Sequence, residues 1–119
     1  MNIAYKTMNM ELTAEIQAYA EEKLEAVARS LARISSEHLA CEATFSKEGH
    51  HTTGDVYRAD FTVFAGAERT HAVGHGISIT AAMDEAKDEL TRRVRENKRV
   101  HVRLLRKGGA AVKRLLRMG

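Results

Sequence analysis

Apolar residues recur along this chain with two different periods, and the changes of period divide it into elements. Residues 2–7 (NIAYKT) read as a short strand with Ile3 and Tyr5 on one face. Thr13 is placed to cap a helix, because its hydroxyl can accept an amide of the first turn that has no partner within the helix. From there Ile16, Tyr19, Ala20, Leu24, Val27 and Leu31 recur at steps of three and four. That spacing makes one apolar stripe, with Glu15, Glu22, Glu25 and Arg29 elsewhere on the surface, and predicts a helix over about 13–33. The period then drops to two. Leu39, Cys41, Ala43 and Phe45 alternate with more polar neighbours, as do Tyr57, Ala59, Phe61 and Val63, giving two half-buried strands. The segment 48–55 (EGHHTTGD) is rich in turn formers, and residues 65–68 make a tight turn around Gly66. Residues 69–74 read as the third strand of an antiparallel meander. Gly74 and Gly76 are expected to close it in a sharp turn.

Ser78 then caps a second amphipathic helix, whose stripe is Ile79, Ala82, Met83, Ala86, Leu90 and Val94. Its acids (Asp84, Glu85, Asp88, Glu89) come early and its bases late, which suits the helix dipole. Its end is ambiguous. Val100, Val102 and Leu104 alternate like a strand, yet Arg95, Arg99, Arg103 and Arg106 would align on a continuing helix. Gly108-Gly109 breaks either form, and residues 110–118 could make one short basic helix. No internal repeat is present. The expected fold class is α+β in the order β-α-β-β-β-α. Two helices pack on one face of a four-stranded, mostly antiparallel sheet, followed by a basic C-terminal tail. The expected division is a body at 1–99 and an extension at 100–119.

A chain of 119 residues with 44% hydrophobic residues can bury roughly two thirds of its unfolded surface, enough for one ordinary core. The single Cys41 cannot form an internal disulfide, which fits a reducing cytosol. No apolar leader and no membrane-length apolar run is seen, so a cytoplasmic protein is expected.

Charge changes the picture most. Eleven of the 19 Lys and Arg residues fall in the last 28 positions, beside one acid, Glu96. They are Arg92, Arg93, Arg95, Lys98, Arg99, Arg103, Arg106, Lys107, Lys113, Arg114 and Arg117. The rest of the chain sets 8 bases against 15 acids, so a net charge of +3 conceals a body near −7 and an end near +10. Such an end repels itself in water and is stabilised by a polyanion. These eleven residues are the candidate contacts with such a polyanion.

Other chemistry finds little support. His50-His51 lie in a turn and His71 and His75 could share a strand face, but no ligand spacing accompanies them. Cys41 sits in register with core positions and reads as a packing thiol. Asp84 has no partner acid or Ser/His pair, so a structural or capping role is expected. Gly74 and Gly76 do not form a phosphate-binding glycine motif. The stacking aromatics of an RRM are missing too. No catalytic residue, cofactor, metal, membrane or small-molecule substrate is expected.

The stretch 69–99 (RTHAVGHGISITAAMDEAKDELTRRVRENKR) resembles the last strand and second helix of the ribosome hibernation factors, also called ribosome-associated inhibitor or ribosomal subunit interface proteins. That family reads like H-A-S-A-E-G-x-D-x-Y-A-A-I-D, then K-L-x-R-Q-L-x-K-H-K. Here His71, Ala72, Gly76, Ala81, Ala82, Asp84, Leu90, Arg92 and Lys98 fall in register without a gap. Thr13 and Lys23-Leu24 match the first helix, and the element order is the family's. Ser78 replaces the usual Asp, Thr80 the aromatic, Glu89 and Glu96 frequent lysines, and Asn97 a histidine. Ending at Gly119, the chain is similar to the family's short forms with an extension.

The resemblance implies binding to the small ribosomal subunit at the decoding region. There the protein would block mRNA and tRNA and keep the ribosome idle but intact. It also adds Lys23 as a secondary rRNA contact. A protein monomeric when free is expected. Two other classes stay open: a general double-stranded RNA or rRNA-binding module without a role in translation inhibition, and a small enzyme, for which the sequence offers no catalytic pair.

Overall fold

The computed structural model describes residues 2–32, 39–48, 56–65 and 68–107. Among them are β1 (Asn2–Met8), α1 (Ala14–Ala32), β2 (Leu39–Lys47), β3 (Tyr57–Ala65), β4 (Glu68–Gly76) and α2 (Ile79–Lys107). The sheet order is β1-β2-β3-β4. β1 runs parallel to β2, which requires the crossover that α1 supplies. The β2–β3 and β3–β4 pairs are antiparallel. The α+β class and the element order expected above are therefore the observed ones.

Local chemistry sets the ends of these elements. β1 stops where Asn9 turns to φ 60°, a left-handed conformation that asparagine tolerates better than most residues. The Ile16 amide donates to Thr13 Oγ1 at 3.1 Å, so Thr13 caps α1. The Ala81 amide does the same to Ser78 Oγ at 3.1 Å at the start of α2.

One face of the sheet carries the core. Cys41, Ala43 and Phe45 of β2, Ala59, Phe61 and Val63 of β3 and Ala72 of β4 are all buried there. Phe45 and Phe61 meet edge to face at a centroid separation of 6.2 Å. Ala20, Leu24, Val27, Ala28 and Leu31 of α1 and Ala82, Met83, Ala86, Leu90 and Val94 of α2 close the core from above. Full burial of a side chain such as Leu24 or Leu90 contributes roughly 2–3 kcal/mol. Ile16 and Tyr19, at the start of the α1 stripe, are only half-buried and pack on the rim.

β4 runs on to Gly76, two residues past the expected end at Gly74, so both glycines lie in the strand and not in the sharp turn expected from sequence. A Cβ on Gly74 would stand 2.2 Å from the Ala82 carbonyl oxygen and 2.3 Å from the Ala86 nitrogen. One on Gly76 would stand 2.7 Å from the Ala82 nitrogen. These glycines exist because the α2 backbone rests on them. The residues of α2 at this contact are alanines for the same reason.

The ambiguous end of α2 is helical. It continues through Lys107, past the 99/100 position and thirteen residues beyond Val94, the last buried residue described on it. That stretch measures about 20 Å at 1.5 Å per residue. Extending a formed helix fixes one residue per hydrogen bond, whereas a new strand at 100–104 would need a sheet edge to pair with. Residues 108–119, with the Gly108-Gly109 break and the expected short helix, lie outside the described residues, as do His50, His51 and most of the 48–55 turn.

Gly74→Ala is expected to cost roughly 3 kcal/mol, the upper end for overpacking, because backbone rather than a flexible side chain must give way. Thermal unfolding should then fall by about 10 °C or more. Unchanged melting would mean that α2 does not lie this close to β4.

Candidate nucleic-acid interface

The first cations of the basic run stand on α2, where spacings of three and four residues bring side chains together. Arg92 is held by two acids. Its Nε and Nη2 donate to the two carboxylate oxygens of Glu89 at 3.1 and 2.5 Å, and its Nη1 donates to Glu96 at 2.5 Å. Arg93 Nε donates to the same Glu89 at 2.9 Å, and Arg93 Nη1 reaches the His71 carbonyl of β4 at 2.5 Å. Hydrogen bonds from Arg92 and then Arg93 pull the Glu89 carboxyl down to about 2. The same pairing with Glu89 raises Arg92 above its ordinary value. Arg92 and Glu96 are each 55% exposed, so water screens the network and its worth to stability is small.

Arg95 differs from its neighbours. It is exposed and makes no ion pair among the described residues, as does half-buried Lys87 one face round. With Asp88, Thr91, Arg92 and Glu96 these two line an open groove along α2. Lys98, Arg99, Arg103, Arg106 and Lys107 ride on the α2 backbone, with side chains outside the described residues. Lys113, Arg114 and Arg117 lie wholly outside them.

Lys23 stands apart from the arginines. Its Nζ is 3.7 Å from Asp84 Oδ1 and 4.8 Å from the centre of the Tyr19 ring. The Tyr19 hydroxyl donates to Asp84 as well, and that hydrogen bond is the main reason its pKa is raised. Asp84 thus clasps α1 to α2 rather than capping a helix. Asp84 and Arg92 are eight residues apart on α2, about 12 Å along the axis. The acids Glu85, Asp88 and Glu89 lie between them.

On the sheet face away from the helices, Asp60 accepts from Arg58 Nε and Nη2 at 2.9 and 3.0 Å and pairs with His71 Nε2 at 3.1 Å. Sequence reading missed this cluster. Thr62 pairs with His71 across the β3–β4 register, so Asp60 is its diagonal neighbour, and only the register reveals that. Among the described residues no three His, Cys, Asp or Glu side chains could hold a metal ion. Cys41 is buried, and burial pushes its thiol up to about 11, so it packs as an unreactive side chain. No helix among the described residues is long and apolar enough to cross a membrane.

The fold has counterparts among known proteins. Residues 3–101 match the family model described as sigma 54 modulation protein / S30EA ribosomal protein. The chain belongs to that family. The resemblance read from the closing strand and second helix was to this group. The N-terminal domain of Thermus thermophilus Protein Y is similar at 26% identity and a TM-score of 0.66, over 81% of this chain and 98% of that one. A ribosomal subunit interface protein from Coxiella burnetii has the same fold at 14% identity and a TM-score of 0.66, over 82% of this chain and 98% of its own. No curated protein sequence matches the chain.

The lowered pKa of Glu89 fixes a pH window. Stability drawn from the network is fully present above the ordinary value of 4.5 and is lost as the pH falls from there towards 2. The Glu89 carboxyl carbon, followed by NMR, should therefore titrate with a midpoint well under 4.5, and Arg92→Gln should return it most of the way. An ordinary midpoint in the parent would mean that the bracket does not persist in solution.

Proposed function

We propose that this protein is a ribosome hibernation factor. It binds the small ribosomal subunit at the decoding region, blocks mRNA and tRNA, and preserves ribosomes in an idle state during stress. The observation that carries the reading is the basic second half of α2, which continues past Val94, borne on a fold shared with Protein Y. Membership of a family whose description names a ribosomal protein supports it.

The physics needs no catalytic group. A rigid helix holds successive cations at fixed separations, and arginine offers a planar fork to phosphate oxygens. RNA helices are recognised largely through backbone shape and 2′-hydroxyls, which suits a basic rod better than a base-reading surface. In this reading residues 1–99 are the ribosome-binding body, and residues 100–119 extend the contact from the continuation of α2 onward. The protein acts as a cytoplasmic monomer. Arg92, Arg93, Arg95, Lys98 and Arg99 meet rRNA first. Arg103, Arg106, Lys107, Lys113, Arg114 and Arg117 hold a second group of phosphates nearby, and Lys23 is a secondary contact.

Cosedimentation with small ribosomal subunits across a salt series tests this directly. Affinity should fall with a log–log slope of roughly −0.7 to −0.9 for each phosphate neutralised. Reversing Arg92, Arg95 and Arg99 to Glu should abolish binding while the protein stays folded. Retained binding by that variant would reject the proposed face. Equal affinity for naked RNA duplex and for assembled subunits would favour a general RNA-binding module.

A chain ending at Lys98 tests the extension. The last buried residue described on α2 is Val94, so the truncated body should keep its fold. It should still inhibit translation in vitro, but at higher concentration, because the second phosphate patch no longer raises the effective concentration of the first. Binding as tight as the full chain at the same salt would give residues 99–119 another purpose.

A further inference from the structure

The cations at the root of the basic helix are already occupied. All three guanidinium nitrogens of Arg92 donate to Glu89 or Glu96, and two of the three on Arg93 donate to Glu89 and to the His71 carbonyl. Two arginines and two glutamates cancel locally, which leaves Arg95 as the cation of this turn without an ion pair among the described residues. An arriving phosphate does not meet an open fork. It must displace a carboxylate that already sits in the geometry a phosphate would take, and the displaced carboxylate stays on the same helix face, repelling it.

We propose that Glu89 and Glu96 are specificity-determining residues. They act as internal anions that compete with RNA phosphate for Arg92 and Arg93, so sparse or loosely placed phosphates are refused. The inference rests on the reading that this stretch of α2 contacts rRNA. Exchange of one anion for another gains little by itself. It becomes favourable where the partner also engages Arg95 and surfaces beyond it, as a rigid and deeply folded RNA site can. A short naked duplex offers fewer simultaneous contacts and leaves the exchange cost uncovered. Discrimination against the wrong partner through charge placed to repel it is a general device.

Glutamine keeps the size and hydrogen-bonding capacity of glutamate and removes its charge. The full chain carrying Glu89→Gln and Glu96→Gln should bind a naked RNA duplex on the order of three- to tenfold more tightly at moderate salt. Its salt slope should steepen by roughly 0.7–0.9 for each phosphate newly neutralised. Purified small ribosomal subunits should gain less, so the preference for subunits over duplex should shrink.

Two comparisons separate the bracket from bulk charge. Glu11→Gln with Glu15→Gln changes net charge equally at exposed positions just before and within the first turn of α1 and should gain much less. In a chain that also carries Arg92→Gln and Arg93→Gln, the gain from the two glutamine substitutions should largely disappear. Glu96→Gln alone, which releases only one Arg92 nitrogen, should show a smaller gain and guards against misfolding of the double variant. No gain, an equal gain from the α1 substitutions, or an equal gain on duplex and subunit would each overturn the inference. If Arg92, Arg95 and Arg99 can be reversed without loss of subunit binding, the rRNA reading itself fails. If that reversal abolishes binding but the glutamine variants gain nothing, the reading stands and the competition does not.

Discussion

The closeness of α2 to β4 governs most of what this molecule presents. Helix and strand meet backbone to backbone, with Gly74 and Gly76 on one side and Ala81, Ala82 and Ala86 on the other. Any larger side chain at the glycines would hold the helix away. The contact fixes the axis of α2, and with it which residues are swallowed by the core and which are offered to a partner. Met83, Leu90 and Val94 turn inward because the helix is anchored at this point and at this rotation. Arg93 reaches the His71 carbonyl, and Glu85 the His75 amide at 3.4 Å, so side chains of α2 also meet backbone groups along the outer strand of the sheet. Such cover makes an edge a poorer template for further strand pairing.

With α2 so anchored, its length carries it beyond the glycine contact. Its early turns lie on the sheet, and the helix continues thirteen residues past Val94, the last buried residue described on it. The order of charge along α2 fits this division. Acids occupy the turns near the N-terminus and bases the turns near the C-terminus, in the sense favoured by the helix dipole. The acidic body and basic end make the distribution of charge strongly asymmetric.

The α1 helix enters the arrangement through one clasp. Asp84 takes a hydrogen bond from Tyr19 and lies beside Lys23, with the lysine over the tyrosine ring. Asp84 thus serves the joint between helices, and the lysine beside it is partly committed to the same joint. On the far side of the sheet, Asp60 gathers Arg58 and His71 into a second, separate cluster. The two surfaces differ in kind, since one is a helix layer and the other a sheet face that mixes charged, polar and apolar side chains.

Local patterning alone determined the elements and their order. Leu24, Val27 and Leu31 recur at helical steps, and Phe45, Ala59, Phe61 and Val63 alternate, because neighbours in sequence are neighbours on the same helix or strand face. Thr13 and Ser78 were legible as caps because a cap acts across three residues. The Glu89–Arg92–Arg93–Glu96 bracket follows from the same helical spacing once that segment is known to be a helix, although composition read it simply as positive charge. Tertiary structure decided what separate elements do to each other. That Gly74 and Gly76 make room for α2 rather than turn the chain, that Asp84 joins two helices, and that Asp60 meets His71 depend on contacts between elements whose register no local period encodes. The continuation of α2 past residue 99 was likewise open in the sequence, where strand and helix patterns overlap. It was settled by an already formed helix that needs no partner to extend, whereas a strand would have required a sheet edge to receive it.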